Sequence, residues 1–199
     1  LVFEGGRLYE YTSSAQLGYI NNLDIDLNGA VLKRANASSV SSTLSSQLSA
    51  TWPSGGVIFL QYIPNNWIVG DFIAAIIDNT YNGTSSSARI TGIDRATNSV
   101  SINASLTLSG YVNFPVGTTI SKSFSCFSGR PSYTDSGSIY SPGSNKRVRI
   151  HGGEIDGNRS NQLSNSWRFS NEILLHTEGG AIYDMKIHDT KGECIVGHG

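Results

Sequence analysis

The residues that could do chemistry are the carboxylates gathered toward one end of the chain: Glu154, Asp156, Glu172, Asp184, Asp189 and Glu193. Hydrolysis of a glycosidic bond needs two carboxyl groups, one carrying a proton and one serving as nucleophile or base. Glu154, Asp156 and Glu193 are the catalytic candidates of this set. A competing role exists for several of the acids. Asp156 precedes Gly157, and Asp184 and Asp189 fall at expected corners, where an Asp side chain bonds its own backbone. A lyase would instead use a basic proton acceptor beside an acidic sugar, often with calcium, and Arg149, Lys186 and His188 could supply the base.

Sugar binding asks for less: a flat aromatic for the apolar sugar face and planar polar groups for the hydroxyls. Trp167, flanked by Asn165, Arg168 and Asn171, meets that need. Trp167, Arg168 and His188 are therefore the substrate-binding candidates. Trp167 could equally pin its loop to the body of the protein. Trp67, beside Pro64-Asn65-Asn66, reads as a core plug, and Trp52 and Tyr62 stay open. His151, His176, His188 and His198 show no metal-ligand spacing, and Cys126 and Cys194 are isolated buried-thiol types. No Gly-x-Ser-x-Gly elbow occurs. No metal site and no cofactor is expected.

The elements that must position these residues are short strands. Val148-Arg149-Ile150-His151-Gly152-Gly153-Glu154-Ile155-Asp156-Gly157 can be laid over Ala181 to Asp189 with an offset of 32 residues. Ile150 then falls on Ile182, Glu154 on Lys186, Ile155 on Ile187, and Gly157 opposite Asp189. A return of the same apolar strand and Gly/Asp corner predicts a chain that coils and stacks on itself, with the Ile pairs inward. The surplus length lies in a corner loop over 159–169. Leu23, Ile25 and Leu27 alternate with Asp24, Asp26 and Asn28, a period of two. Asn28-Gly29 turns, and Ala30 to Arg34 starts again. Between these coil-like parts, Val57–Leu60, Phe72–Ile77, Ser87–Asp94, Ser99–Ile102 and Val116–Ile120 read as strands of a compact antiparallel unit. The Ser-rich stretch 39–50 admits a short helix, although Ser is a poor interior helix former. The Gly/Pro/Ser-rich stretch 128–147 reads as a loop.

The expected organisation is all-β. Residues 1–34 form the first coil strands, 35–147 a β-rich insertion folded as a small antiparallel barrel or sandwich, and 148–199 further coil strands. The chain opens and closes in mid-strand, so a fragment of a longer protein is expected. Net charge of -1, 15% charged residues and no basic run longer than two argue against nucleic acid as partner. With 38% hydrophobic residues the chain has material for a core, and no apolar run approaches the roughly 20 residues of a membrane span.

Leu23-Asp24-Ile25-Asp26-Leu27-Asn28-Gly29-Ala30-Val31-Leu32, Ile150 to Asn158 and Ile182 to Gly199 resemble the strand-and-turn pattern of pectate-lyase-like right-handed parallel β-helices, the class that includes phage tailspike depolymerases. Trp67 to Asp71, with Ile90 to Ile102, resembles β-rich insertions near the start of some tailspike helices. The resemblance implies a protein of the phage tail, in the virion, that binds and hydrolyses a bacterial surface polysaccharide such as capsule or O-antigen. It also implies a homotrimer contacting other tail or baseplate proteins. Two alternatives stay open: a non-catalytic structural or adhesive β-helix of a tail fibre or adhesin, and a secreted polysaccharide lyase or glucanase.

Overall fold

A computed structural model of the chain describes residues 1–13, 15–17, 20–49, 56–77, 87–104, 106, 113–123, 126–128, 146–163, 172–191 and 194–198. These residues are predominantly β-sheet, in parallel and antiparallel pairings, with two short 3₁₀ turns at Ala37–Ser39 and Arg159–Asn161. Among them no helix is long and apolar enough to cross a membrane. The chain divides into two compact units. One comprises Leu1–Ala35, Ser125–Ser160 and Ser170–Gly199, the other Asn36–Phe124 and Asn161–Phe169.

The first unit is built from parallel ladders. Strands β1 (Leu8–Tyr11), β3 (Asp24–Asp26), β4 (Val31–Arg34), β14 (Arg149–Asp156) and β16 (Ala181–His188) form one sheet. Strands β2 (Ala15–Gln16), β13 (Phe127–Ser128), β15 (Ile173–His176) and β17 (Ile195–His198) form a second. Single parallel bridges link Asn21 to Lys146 and Lys146 to Glu178. The pairing of β14 with β16 follows the 32-residue offset: Ile150 faces Ile182, Glu154 faces Lys186 and Ile155 faces Ile187. Ile25 and Leu32 extend the two aliphatic rows onto β3 and β4. Ile25, Leu32, Ile150 and Ile155 are buried, whereas Ile182 and Ile187 are partly buried against the same core. Burying an Ile side chain fully contributes about 1.5–3 kcal/mol, so these rows are a principal source of the unit's stability.

β14 is long because it serves two partners. Its first half, Arg149–His151, pairs with β3, and its second half, Glu154–Asp156, pairs with β4. The turn between β3 and β4 must pass close to the middle of β14, and Gly153 makes that passage. A Cβ at Gly153 would lie 2.4 Å from Leu27 Cβ and 2.8 Å from the Ala30 carbonyl oxygen.

The second unit contains an antiparallel sheet in the order β5 (Ser41–Thr43), β12 (Thr119–Ser123), β8 (Phe72–Ile76), β9 (Ala88–Asp94), β10 (Ser99–Ile102), β7 (Gly56–Phe59). An antiparallel bridge joins Leu44 to Leu60, just beyond the two end strands of that order. A short ribbon pairs β6 (Leu48–Ser49) with β11 (Asn113–Phe114). The helix admitted over 39–50 is corrected: Ser39 closes a 3₁₀ turn, and Ser41–Thr43 and Leu48–Ser49 form β5 and β6, because Ser41 to Thr43 find ladder partners on β12 that outweigh the weak helical preference of Ser. Trp67 fills the core as expected, 1% exposed, with its indole N–H donated to the Val40 carbonyl at 3.1 Å. The loop carrying Trp67 is held by two cations. Arg95 donates to the carbonyls of Ile63 and Trp67. Buried Lys122 meets Asp71 at 2.6 Å and donates to the Asn66 carbonyl at 2.8 Å, and burial lowers the pKa of its ammonium.

Candidate functional site

The parallel ladder places residues 32 apart in sequence side by side, and on its outward face this assembles two groups of polar side chains. Near one end, His151 of β14 and Tyr183 of β16 are register partners. Their rings stack nearly parallel, with centroids 4.6 Å apart and planes 9° apart. Asp26 of β3 is the third member of that row, and Asp24 lies two residues before it. His151 Nε2 is 3.2 Å from Asp24 Oδ1, and Nδ1 is 3.7 Å from Asp26 Oδ1. Asp26 also accepts from the Asn28 N–H at 2.8 Å, which fixes its carboxylate. Tyr183 remains 43% exposed, so the stack presents one aromatic ring to solvent, with the two carboxylates on the far side of His151.

The second group lies further along the same two strands. His188 is held at both ring nitrogens: Nε2 is 2.8 Å from Glu154 Oε1, and Nδ1 is 2.8 Å from Asp189 Oδ2. Lys186 donates to the other oxygen of Glu154 at 3.1 Å. These contacts raise the pKa of His188, chiefly through the hydrogen bond to Glu154 and then that to Asp189. They hold the Glu154 carboxyl below its ordinary value, through His188 first and Lys186 second. Asp156, the register partner of His188, accepts from the Asn158 N–H at 2.8 Å and lies 3.5 Å from the Lys33 ammonium.

Of the residues singled out in the sequence, the fold brings Glu154, Asp156 and His188 together on one face. Glu193, Trp167 and Arg168 lie outside the described residues. Asp184 and Asp189 adopt left-handed backbone, with φ of 51° and 50°, in keeping with a turn role for Asp189 and a local bend at Asp184 within β16. Asp156 makes the short-range bond to backbone that a turn Asp makes.

Glu172 is fully buried. Its carboxylate faces the Arg34 guanidinium at 3.2 Å and accepts the Tyr11 hydroxyl, while Asn158 Nδ2 donates to the Arg34 carbonyl at 2.9 Å. Gly157 makes room for this cluster, because a Cβ there would lie 2.9 Å from Glu172 Oε1 and 2.7 Å from the Asp189 carbonyl oxygen. Burial raises the pKa of Glu172, and burial together with the Glu172 charge raises those of Tyr11 and Cys126. A paired carboxylate closed off from solvent cannot meet a polymeric substrate, so Glu172 belongs to the framework.

His151, Tyr183, Asp24 and Asp26 were not singled out as a group by residue type. The signal was present in the offset of 32, which lays His151 on Tyr183 as surely as it lays Ile150 on Ile182.

No protein-family model matches the chain, and no curated protein matches it in sequence. Among solved structures it is similar to the tailspike protein gp49 from Pseudomonas phage LKA1, with 15% identity and a TM-score of 0.33. The match covers 74% of this chain and 26% of that one, so the chain spans about a quarter of the tailspike's length.

Proposed function

We propose that this chain binds a bacterial surface polysaccharide on the outward face of β14 and β16, as an adhesive part of a tailspike-like protein. The observation that carries the reading is the exposed Tyr183 ring, stacked on His151, which the Asp24 and Asp26 carboxylates flank on its other side. A flat ring covers the apolar face of a sugar, and fixed carboxylates accept its hydroxyl protons. The parallel ladders of the first unit are read as rungs of a right-handed β-helix, and the antiparallel sheet bridged at Leu44 and Leu60 as the inserted barrel. A homotrimer, contacts with other tail or baseplate proteins, and a place in the virion (or, for a secreted protein, outside the cell) rest on the resemblance in sequence pattern.

The polysaccharide is uncharged. On this face Asp24, Asp26, Glu154, Asp156 and Asp189 outnumber Lys33, Arg149 and Lys186, which disfavours a polyanion and with it the lyase reading. Binding stands ahead of cleavage. A hydrolytic pair needs one protonated acid. Glu154 is held ionised, Asp156 faces a lysine, and Glu193 lies outside the described residues.

The test uses purified neutral and anionic capsular and O-antigen polysaccharides immobilised on a sensor. A neutral glycan should bind, and Tyr183→Ala should weaken it at least tenfold while circular dichroism stays unchanged. Equal binding by Tyr183→Ala, or a preference for anionic glycans, contradicts the reading. Release of reducing ends would move Glu154 and Asp156 from binding to hydrolysis, and ultraviolet-absorbing products would restore the lyase.

A further inference from the structure

We propose that Asp156, His188 and Asp189 form a binding site for a divalent first-row transition metal ion of the zinc class. The site is separate from the Tyr183 platform and does not depend on the polysaccharide reading. Nothing in the linear spacing announces it, because its donors come from two strands. Register pairing brings Asp156 of β14 opposite His188 of β16, and Asp189 follows directly. One donor atom from each lies within 4.8 Å of the other two. Ligands about 2.0–2.1 Å from a common ion are separated by about 2.9 Å along an octahedral edge and about 3.4 Å along a tetrahedral one. The donor atoms lie within 4.8 Å of one another, so small side-chain rotations reach such spacings, and an ion would replace the proton that His188 Nδ1 and Asp189 Oδ2 share at 2.8 Å.

A residue outside the donor set points the imidazole. Glu154 Oε1 holds His188 Nε2 at 2.8 Å, which leaves Nδ1 facing Asp189 Oδ2. A metal-bound histidine commonly has such a carboxylate behind it, setting the tautomer and strengthening the ligand. Lys186 in turn holds Glu154, and the Asn158 N–H holds Asp156. One imidazole with two carboxylates favours zinc, cobalt or nickel over calcium or magnesium, which prefer all-oxygen shells. Lys33, 3.5 Å from Asp156, is exposed enough to turn away when a cation enters.

The experiment is calorimetric titration of the chelator-treated full chain with zinc chloride, cobalt chloride and calcium chloride in turn. Zinc and cobalt should each bind at one ion per chain, and the cobalt form should show a visible absorption band without a thiolate charge-transfer band. Asp189→Asn and His188→Gln should each weaken zinc at least tenfold. Glu154→Gln should weaken it about 10- to 100-fold through the ring it orients. Asp189 and His188 are at the surface, so circular dichroism should show both variants folded. Absence of zinc binding at millimolar concentration, a preference for calcium, unchanged affinity in a folded Asp189→Asn variant, or a thiolate band from Cys194 would each overturn the assignment.

Discussion

Glu172, Arg34, Tyr11 and Cys126 form one enclosed polar cluster, in which the Glu172 carboxylate meets the Arg34 guanidinium and accepts the Tyr11 hydroxyl. In the sequence Glu172 stands among the carboxylates that could act on a sugar. In the fold it is sealed beside an arginine 138 positions away, a distance no local pattern spans. The cluster makes stability depend on alkaline pH. The Cys126 thiol and the Tyr11 hydroxyl have raised pKa values in the folded chain, whereas the unfolded chain ionises them from their ordinary values of 9.0 and 10.0. Above those values the unfolded state binds fewer protons than the folded state, so the stability these groups contribute is complete below pH 9 and is lost as pH rises. Each group adds a slope of up to about 1.4 kcal/mol per pH unit. Lys122, whose pKa burial lowers, has the opposite sign, so the comparison is made between variants. Urea unfolding from pH 8 to 11 should show Tyr11→Phe less stable than the parent at pH 8, by about 1–3 kcal/mol for the lost bond to Glu172. The gap should narrow above pH 10. A gap that stays constant through pH 11 would mean the phenol ionises freely in the folded chain.

Among the elements, the paired strands β14 and β16 were the most legible. Two aliphatic rows, each with partners 32 residues apart, are a long-range signal written in identical residue types, and the register follows it. Less could be read where one strand has two partners. That β3 and β4 share β14 depends on the close approach at Gly153, which leaves no trace beyond a glycine. In the antiparallel unit the local run β8–β9–β10 follows chain order, but β12 lies between β5 and β8, and turn residues carry no information about such a return. The burial gradient along the rows gives a prediction. Ile150→Ala and Ile155→Ala should each cost about 2–5 kcal/mol, because the space they leave is enclosed. Ile182→Ala should cost distinctly less, because that side chain is only partly buried. Urea midpoints at pH 7 decide it, and equal losses at Ile150 and Ile182 would mean that the β16 member of the row is enclosed as fully as the β14 member. Gly153→Ala should also destabilise, since its Cβ meets Leu27 and the Ala30 backbone oxygen and the latter cannot yield by rotating.

At the scale of the whole molecule, most of the polar chemistry on the parallel ladder is outward and mutually paired, while the aliphatic rows are inward. That separation follows from the alternation of side chains along a strand, and it was readable wherever period two was clean. The site was legible in part. Glu154, Asp156 and His188 were named from residue type, and the face they share emerged only with the register. Tyr183 carries no signal by type, because a tyrosine among strand residues is ordinary β-sheet composition, whereas a tryptophan is rare in any element. Trp67 proved to be core. The acidic excess of the outward face predicts that binding of a neutral polysaccharide changes less than twofold between 50 and 500 mM sodium chloride, because no ion pairs with the ligand are screened. A steep loss with salt, measured on the same sensor surface, would point to a charged glycan.

The most direct measurement is an amide nuclear magnetic resonance titration of the isotope-labelled chain with a neutral oligosaccharide prepared from the polysaccharide that it binds. The account predicts that the largest shifts fall on Asp24, Asp26, His151 and Tyr183, and that Tyr183→Ala abolishes them. Shifts confined to the antiparallel unit, or a pattern unchanged by Tyr183→Ala, would contradict the assignment of this face as the glycan site.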